Sequence, residues 1–132
     1  MIKQALKIRI PVAKRQCSGA NVMVVDDDPH FRSLARNLLE PAGITVIEAG
    51  GAREGLHCMH AHPIDLVVLD IVLPGEDGFK ALGFLKSSFP QTKIVIATAL
   101  YLQFAAPRGA DAVLSKSEVE RLRPLVERLL EA

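Results

Sequence analysis

The chain has 132 residues, 49% of them hydrophobic and 23% charged, which is the length and composition of one packed domain and argues against two independent cores or wholesale disorder. Two cysteines, Cys17 and Cys58, exclude a disulfide-framed mini-protein and fit a reducing, cytoplasmic setting. No apolar run reaches the roughly 18 residues of a membrane span, and the N-terminus lacks the apolar stretch of a secretion signal. The formal net charge of +1 is unevenly spread. Lys3, Lys7, Arg9, Lys14 and Arg15 make residues 1–20 a basic arm without a single acid, which leaves −4 for residues 21–132. The arm is expected to be flexible. Five cations without an aromatic partner are too thin a signal for nucleic-acid or membrane contact, so no direct DNA binding is expected.

Beyond the arm, strand and helix patterns alternate. Asn21–Val25 is a short apolar run and reads as a buried strand. Asp28 suits an N-cap and Pro29 the first helical position, and Phe31, Leu34, Ala35, Leu38 and Leu39 recur at helical spacing until Pro41 and Gly43 stop the helix. Residues 44–48 read as a second strand and 52–61 as a second helix, ended by Pro63. Residues 64–69 are a third strand, apolar enough to be buried on both faces. A loop over 73–78 leads to a third helix over 79–88, closed by Pro90. A fourth strand is expected over 93–97 and a fifth around 112–114. Residues 118–130 read as the last helix, with Leu122, Leu125, Val126, Leu129 and Leu130 on one stripe. Continuous Val/Ile/Leu strands alternating with helices imply an α/β, doubly wound, five-stranded parallel sheet covered on both faces. In such sheets the ligand crevice lies beyond the carboxyl ends of the strands.

Asp26 and Asp27 end the first strand, Asp70 the third, Thr98 the fourth and Lys116 the fifth. Three carboxylates meeting in one crevice repel one another unless a cation joins them. A hard cation with oxygen ligands meets that need, and Mg2+ fits best because it is commonly held by one or two carboxylates, waters and a phosphate. Lys116 is a compact cation for a phosphoryl oxygen, and the Thr98 hydroxyl can donate to one. Asp70 is then free to act as a nucleophile, since carboxylates accept phosphoryl groups as aspartyl phosphates.

Here a family comes into view. The chain resembles a receiver domain of a two-component response regulator, the CheY-like superfamily. The resemblance is carried by Val24-Val25-Asp26-Asp27-Asp28-Pro29, Asp65-Leu66-Val67-Val68-Leu69-Asp70, Leu73-Pro74-Gly75-Glu76-Asp77-Gly78, Ala97-Thr98-Ala99, and Gly109-Ala110-Asp111 leading to Lys116. It spans roughly residues 21–131, so residues 21–132 are the expected receiver domain. The resemblance implies a flavodoxin-like (βα)5 sheet in the order 2-1-3-4-5. It implies Asp70 as phospho-acceptor, Asp27 as a direct ligand of Mg2+, Asp26 as a ligand acting largely through water, and the Val72 backbone carbonyl as a further ligand. Thr98 and Lys116 match the family's hydroxyl and lysine, and Ala99 its small residue. The implied function is a single-domain regulator, not an enzyme beyond self-phosphorylation and slow autodephosphorylation. It would take its phosphoryl group from a sensor histidine kinase or phosphotransfer protein and signal by contact with a downstream protein. Two alternatives stand beside it: a receiver-fold interaction module that works without phosphorylation, and a receiver fragment of a larger regulator or hybrid kinase.

Several positions depart from the family pattern. Ser117 follows the lysine where the family usually has proline, and Val113 stands three residues before it in place of an aromatic. Val72 and Leu100, at the positions that tune turnover, are apolar and cannot position a hydrolytic water, so slow autodephosphorylation is expected. Only residues 99–108 separate Thr98 from Gly109, fewer than a full crossover takes, so the fourth helix is expected to be short or degenerate. That stretch is almost entirely apolar, which suits either packing onto the sheet or a surface for a partner or a homodimer contact. His57 and His60 are helical neighbours, but their spacing fits no standard zinc motif.

Overall fold

The computed structural model describes residues 17–73, 75–99 and 107–131. Its strands and helices are β1 Asn21–Val25, α1 Pro29–Leu39, β2 Thr45–Ala49, α2 Ala52–Ala61, β3 Leu66–Leu69, β4 Val72–Leu73, β5 Glu76–Asp77, α3 Gly78–Ser88, β6 Lys93–Thr98, β7 Ala112–Ser115 and α4 Leu122–Glu131. β2, β1, β3, β6 and β7 form one parallel sheet in that order. Counting only these five, the order is the expected 2-1-3-4-5. β4 and β5 form a two-residue antiparallel ladder inside the segment expected to be a plain loop.

Side chains alternate across the strands, and that alternation builds two cores. Val22 and Val24 of β1 point to one face, with Leu66, Val68, Val95, Ala97 and Leu114, and meet Phe31, Ala35 and Leu39 of α1 and Leu122 and Val126 of α4. Met23 and Val25 point to the other, with Val67, Leu69, Ile94 and Ile96, and meet Met59 of α2 and Leu82 and Leu85 of α3. Strands buried on both faces carry no polar alternation, which is why they read as unbroken apolar runs.

The predicted caps form. Asp28 is extended and its Oδ1 accepts from the His30 N–H at 2.9 Å, with Pro29 opening α1. Gly43 closes the short 3-10 turn after α1 at φ 84°, a left-handed value that suits glycine. A further cap, not expected from the sequence, forms at α3, where Asp77 accepts from the N–H groups of Phe79 and Lys80. The Gly109-Ala110-Asp111 segment stitches β7 to β6: the Asp111 N–H donates to the Ile94 carbonyl at 2.7 Å, and the Ile94 N–H donates to Asp111 Oδ2 at 2.8 Å.

The last helix starts later than expected. Lys116–Arg121 is a 3-10 turn with Glu118 outside helical geometry, and α4 opens only at Leu122. Pro124 supplies the reason: its missing N–H would break a helix that began at 118, but costs nothing within the first turn of one that begins at 122. The expectation of a degenerate fourth helix and a dimer contact over 99–108 falls mostly on residues 100–106, outside the described residues, as does the basic arm up to residue 16. Residues 17–20 are described: Cys17 and Ala20 are buried, and the Gly19 N–H donates to the Gly43 carbonyl at 2.8 Å.

Candidate functional site

The parallel sheet delivers its polar residues to one end. Asp26 follows β1, and its backbone N–H donates to the Ala49 carbonyl of β2 at 3.0 Å. Asp70 follows β3, and its N–H donates to the Val25 carbonyl at 3.0 Å. Thr98 ends β6 in register with Ser115 of β7, immediately before Lys116. Asp26 is 1% exposed, Asp70 5% and Thr98 1%, whereas the other charged side chains among the described residues lie at least partly in solvent. Asp27 is exposed beside them. Carboxylate oxygens of Asp26, Asp27 and Asp70 all lie within 4.8 Å of one another.

Lys116 answers that charge. Its Nζ donates to Asp70 Oδ2 at 2.9 Å and lies 2.6 Å from Asp26 Oδ2. The second contact is ionic without the alignment of a hydrogen bond, so Asp26 Oδ2 is a buried oxygen with no aligned donor. The other oxygen of each carboxylate is held by the chain's own backbone. Asp26 Oδ1 accepts from the Asp28 N–H, and Asp70 Oδ1 from the Val72 N–H, each at 2.9 Å. Burial raises the Asp26 carboxyl above its ordinary pKa, and Lys116 offsets this only in part. Burial works to lower Lys116, but its contacts with Asp26 and Asp70 outweigh that and hold the ammonium above its usual value.

The donor set, three carboxylates with an unaligned buried oxygen among them, fits a hard divalent cation. Of the residues picked out from sequence, Asp26, Asp27, Asp70 and Lys116 come together. Thr98 and Val72 sit on the adjoining strand end and hairpin. The His57/His60 pair does not form a metal cluster among the described residues; His60 Nδ1 lies 3.0 Å from the Leu56 carbonyl and its ring packs edge-on to Phe89.

Three residues support the site in ways the sequence did not show. Arg32 Nη1 donates to the Asp26 carbonyl at 2.6 Å while its Nε donates to Glu48 at 2.9 Å, pinning the end of β1 to α1 and β2. Gly78 lies so close to Ile71 that a Cβ there would run into the Ile71 backbone. Phe31 places its ring under Lys116 Nζ, 4.8 Å from the ring centroid. Ser117 in the family's proline position also has a role: its N–H donates to Ser115 Oγ at 3.3 Å, capping the 3-10 turn that Lys116 opens.

A five-stranded parallel α/β sheet with an acidic cluster and a lysine at its carboxyl edge fits a phosphoryl-accepting class of domain. The response regulator receiver domain matches residues 22–127, and the chain belongs to that family. Among its relatives, the Hahella chejuensis protein-glutamate methylesterase/protein-glutamine glutaminase 3 is 38% identical over 82 residues, which is 61% of this chain and 23% of that protein. The Fimbriae Z protein of Salmonella typhimurium is 34% identical over 103 residues, 74% of this chain and 49% of the relative. The chain thus spans half or less of these relatives' lengths. In solved structures, the Thermotoga maritima response regulator protein TrrA, in complex with Mg2+-BeF, aligns with a TM-score of 0.75 at 30% identity, covering 83% of this chain and 98% of that one. A structure of the histidine kinase ThkA in complex with TrrA aligns with a TM-score of 0.74 at 30% identity, covering 84% and 98%. Among the described residues no helix is long and apolar enough to cross a membrane.

Proposed function

We propose that Asp70 accepts a phosphoryl group from a sensor histidine kinase or phosphotransfer protein, and that the domain passes the change on by contact with a downstream protein. One observation carries this reading: Lys116 bridges the buried carboxylates of Asp26 and Asp70 at the carboxyl edge of the sheet. An Asp70 oxygen attacks phosphorus as the donor's bond to phosphorus breaks, and the leaving group departs with the electron pair. Lys116 donates to a phosphoryl oxygen from its place beside Asp70, and Thr98 donates its hydroxyl to another. Asp26, Asp27, Asp70 and the Val72 carbonyl would hold Mg2+, which when bound neutralises phosphoryl charge. Val72 is 52% exposed yet apolar, so it cannot orient water for hydrolysis and the acyl phosphate decays slowly. Two free thiols suit the reducing cytoplasm.

Incubation with acetyl phosphate and magnesium, read by intact mass, tests this. A phosphoryl adduct that disappears in Asp70→Asn is expected. No adduct, and no transfer from any kinase, would leave an interaction module that works without phosphorylation. A phosphoryl lifetime of seconds would contradict the role given to Val72.

A further inference from the structure

We propose that Phe31 is a positioning residue for Lys116, holding the ammonium in place by a cation–π contact while Asp70 changes its chemical state. The proposal rests on the reading of Asp70 as phospho-acceptor. A lysine tip hangs on a flexible four-carbon stem and is free to follow whichever anion is nearest. Lys116 has two anionic partners, and the reaction alters one of them. Once an Asp70 oxygen bonds to phosphorus and acetate or another leaving group departs, that oxygen is no longer a free carboxylate oxygen. Phe31 is unaltered by this step. Its ring is buried, 6% exposed, in the core built with Ala35 and Leu39 of α1, Leu122 of α4, and Val24 and Ala97 of the sheet. It therefore has little freedom to rotate or retreat. Nζ lies over that ring at 4.8 Å, within the distance at which a cation is attracted to an aromatic face. Partial burial of Lys116, whose side chain is 20% exposed, strengthens the attraction by keeping water from competing. The backbone end of the same residue is fixed separately, by the Ser115 cap on the Ser117 N–H. Phe31 thus supplies at the tip of the side chain the restraint that the cap supplies at its base.

A series of increasingly fluorinated phenylalanines at position 31 tests this, because fluorine drains the ring face of negative potential while nearly preserving its shape. The rate of phosphorylation by acetyl phosphate with magnesium is expected to fall stepwise along the series, by about tenfold at its end. The loss should fall on the maximal single-turnover rate of adduct formation, with the acetyl phosphate concentration at half that rate little changed and with an unchanged Tm. Phe31→Leu should lose as much rate. In NMR spectra it should also remove the upfield ring-current shift expected for the Lys116 ε-CH2 protons of the wild type. A wild type that is phosphorylated normally while the series stays flat overturns the role of Phe31 alone. A wild type that takes no phosphoryl group removes the reading of Asp70, and this proposal with it.

Discussion

The two faces of the sheet are built from the same strands and finished differently. On the face under α1 and α4, helix positions at regular spacing carry Phe31, Ala35 and Leu39, and Leu122 and Val126, all buried, and the hollow of about 400 Å3 on α4 lies out at the β7 edge, against Pro124, Leu125 and Arg128. On the face under α2 and α3, small residues stand where large ones would close the gap. Gly55 of α2 packs against Met23 and Val25, and Ala52 of α2 and Ala81 of α3 line a trough of about 420 Å3 between the helices, floored by Met23, Val25 and Leu69. Phe84 at its edge is 47% exposed. The contrast teaches where the fold tolerates change. The closed face supports the side chains that hold Lys116, whereas the open face has room to repack without disturbing them.

The largest effect is expected on the closed face. Leu122 is fully buried there, and Leu122→Ala should cost about 2–5 kcal/mol in urea unfolding, from lost burial plus a cavity the neighbours cannot refill. A matching loss from Leu56→Ala, on the trough, would erase the distinction between faces. Next comes Gly78→Ala, where the added methyl meets Ile71 backbone rather than a yielding side chain. It should destabilise by about 1–3 kcal/mol and slow phosphorylation of Asp70 more than the stability loss explains, read by acetyl phosphate labelling beside thermal melts. A sharper comparison pairs two enlargements. Ala35→Leu overpacks the closed face and should also cost about 1–3 kcal/mol, while Ala81→Leu extends into the trough and should change stability by less than about 1 kcal/mol, in either direction.

The smallest effect concerns pH. Hydrogen bonds from Arg32 and Arg36, with their charges, hold the Glu48 carboxyl below its ordinary pKa. Arg36 also reaches Glu40, and Arg32 the Asp26 carbonyl. A depressed carboxyl pKa stabilises the fold above the unfolded value and loses that contribution as pH falls through the folded one. Thermal melts of Glu48→Gln should therefore lie below the wild type at neutral pH and converge with it on acidification. A difference between the two that does not change with pH would show that ionisation of Glu48 is not coupled to stability.

The sequence made the acidic edge legible because each polar residue ends an apolar run, and in a parallel sheet the ends of runs meet. Periodicity likewise placed α1, α2 and α3 nearly to the residue. What escaped was set by distance in space rather than along the chain. Phe31 reads as one more apolar residue on a helical stripe, and only the path of β7 brings Lys116 over it. Arg32 reads as a solvated charge until β2 presents Glu48. The late start of α4 was available in principle, since Pro124 sits six residues inside the expected helix. The ladder between β4 and β5 was not, since two paired residues leave no periodic trace.

The contact between Gly78 and Ile71 has a mechanical consequence. Ile71 follows Asp70 directly, and Gly78 is the first residue of α3, with no side chain between the two backbones to compress or swing aside. The segment leaving Asp70 and the first turn of α3 are therefore geared together, and a shift in one is a shift in the other. Since α3 forms one wall of the trough, and its lining runs from Leu69 and Asp77 to Leu85, the trough's width is tied to the strand end where Asp70 sits.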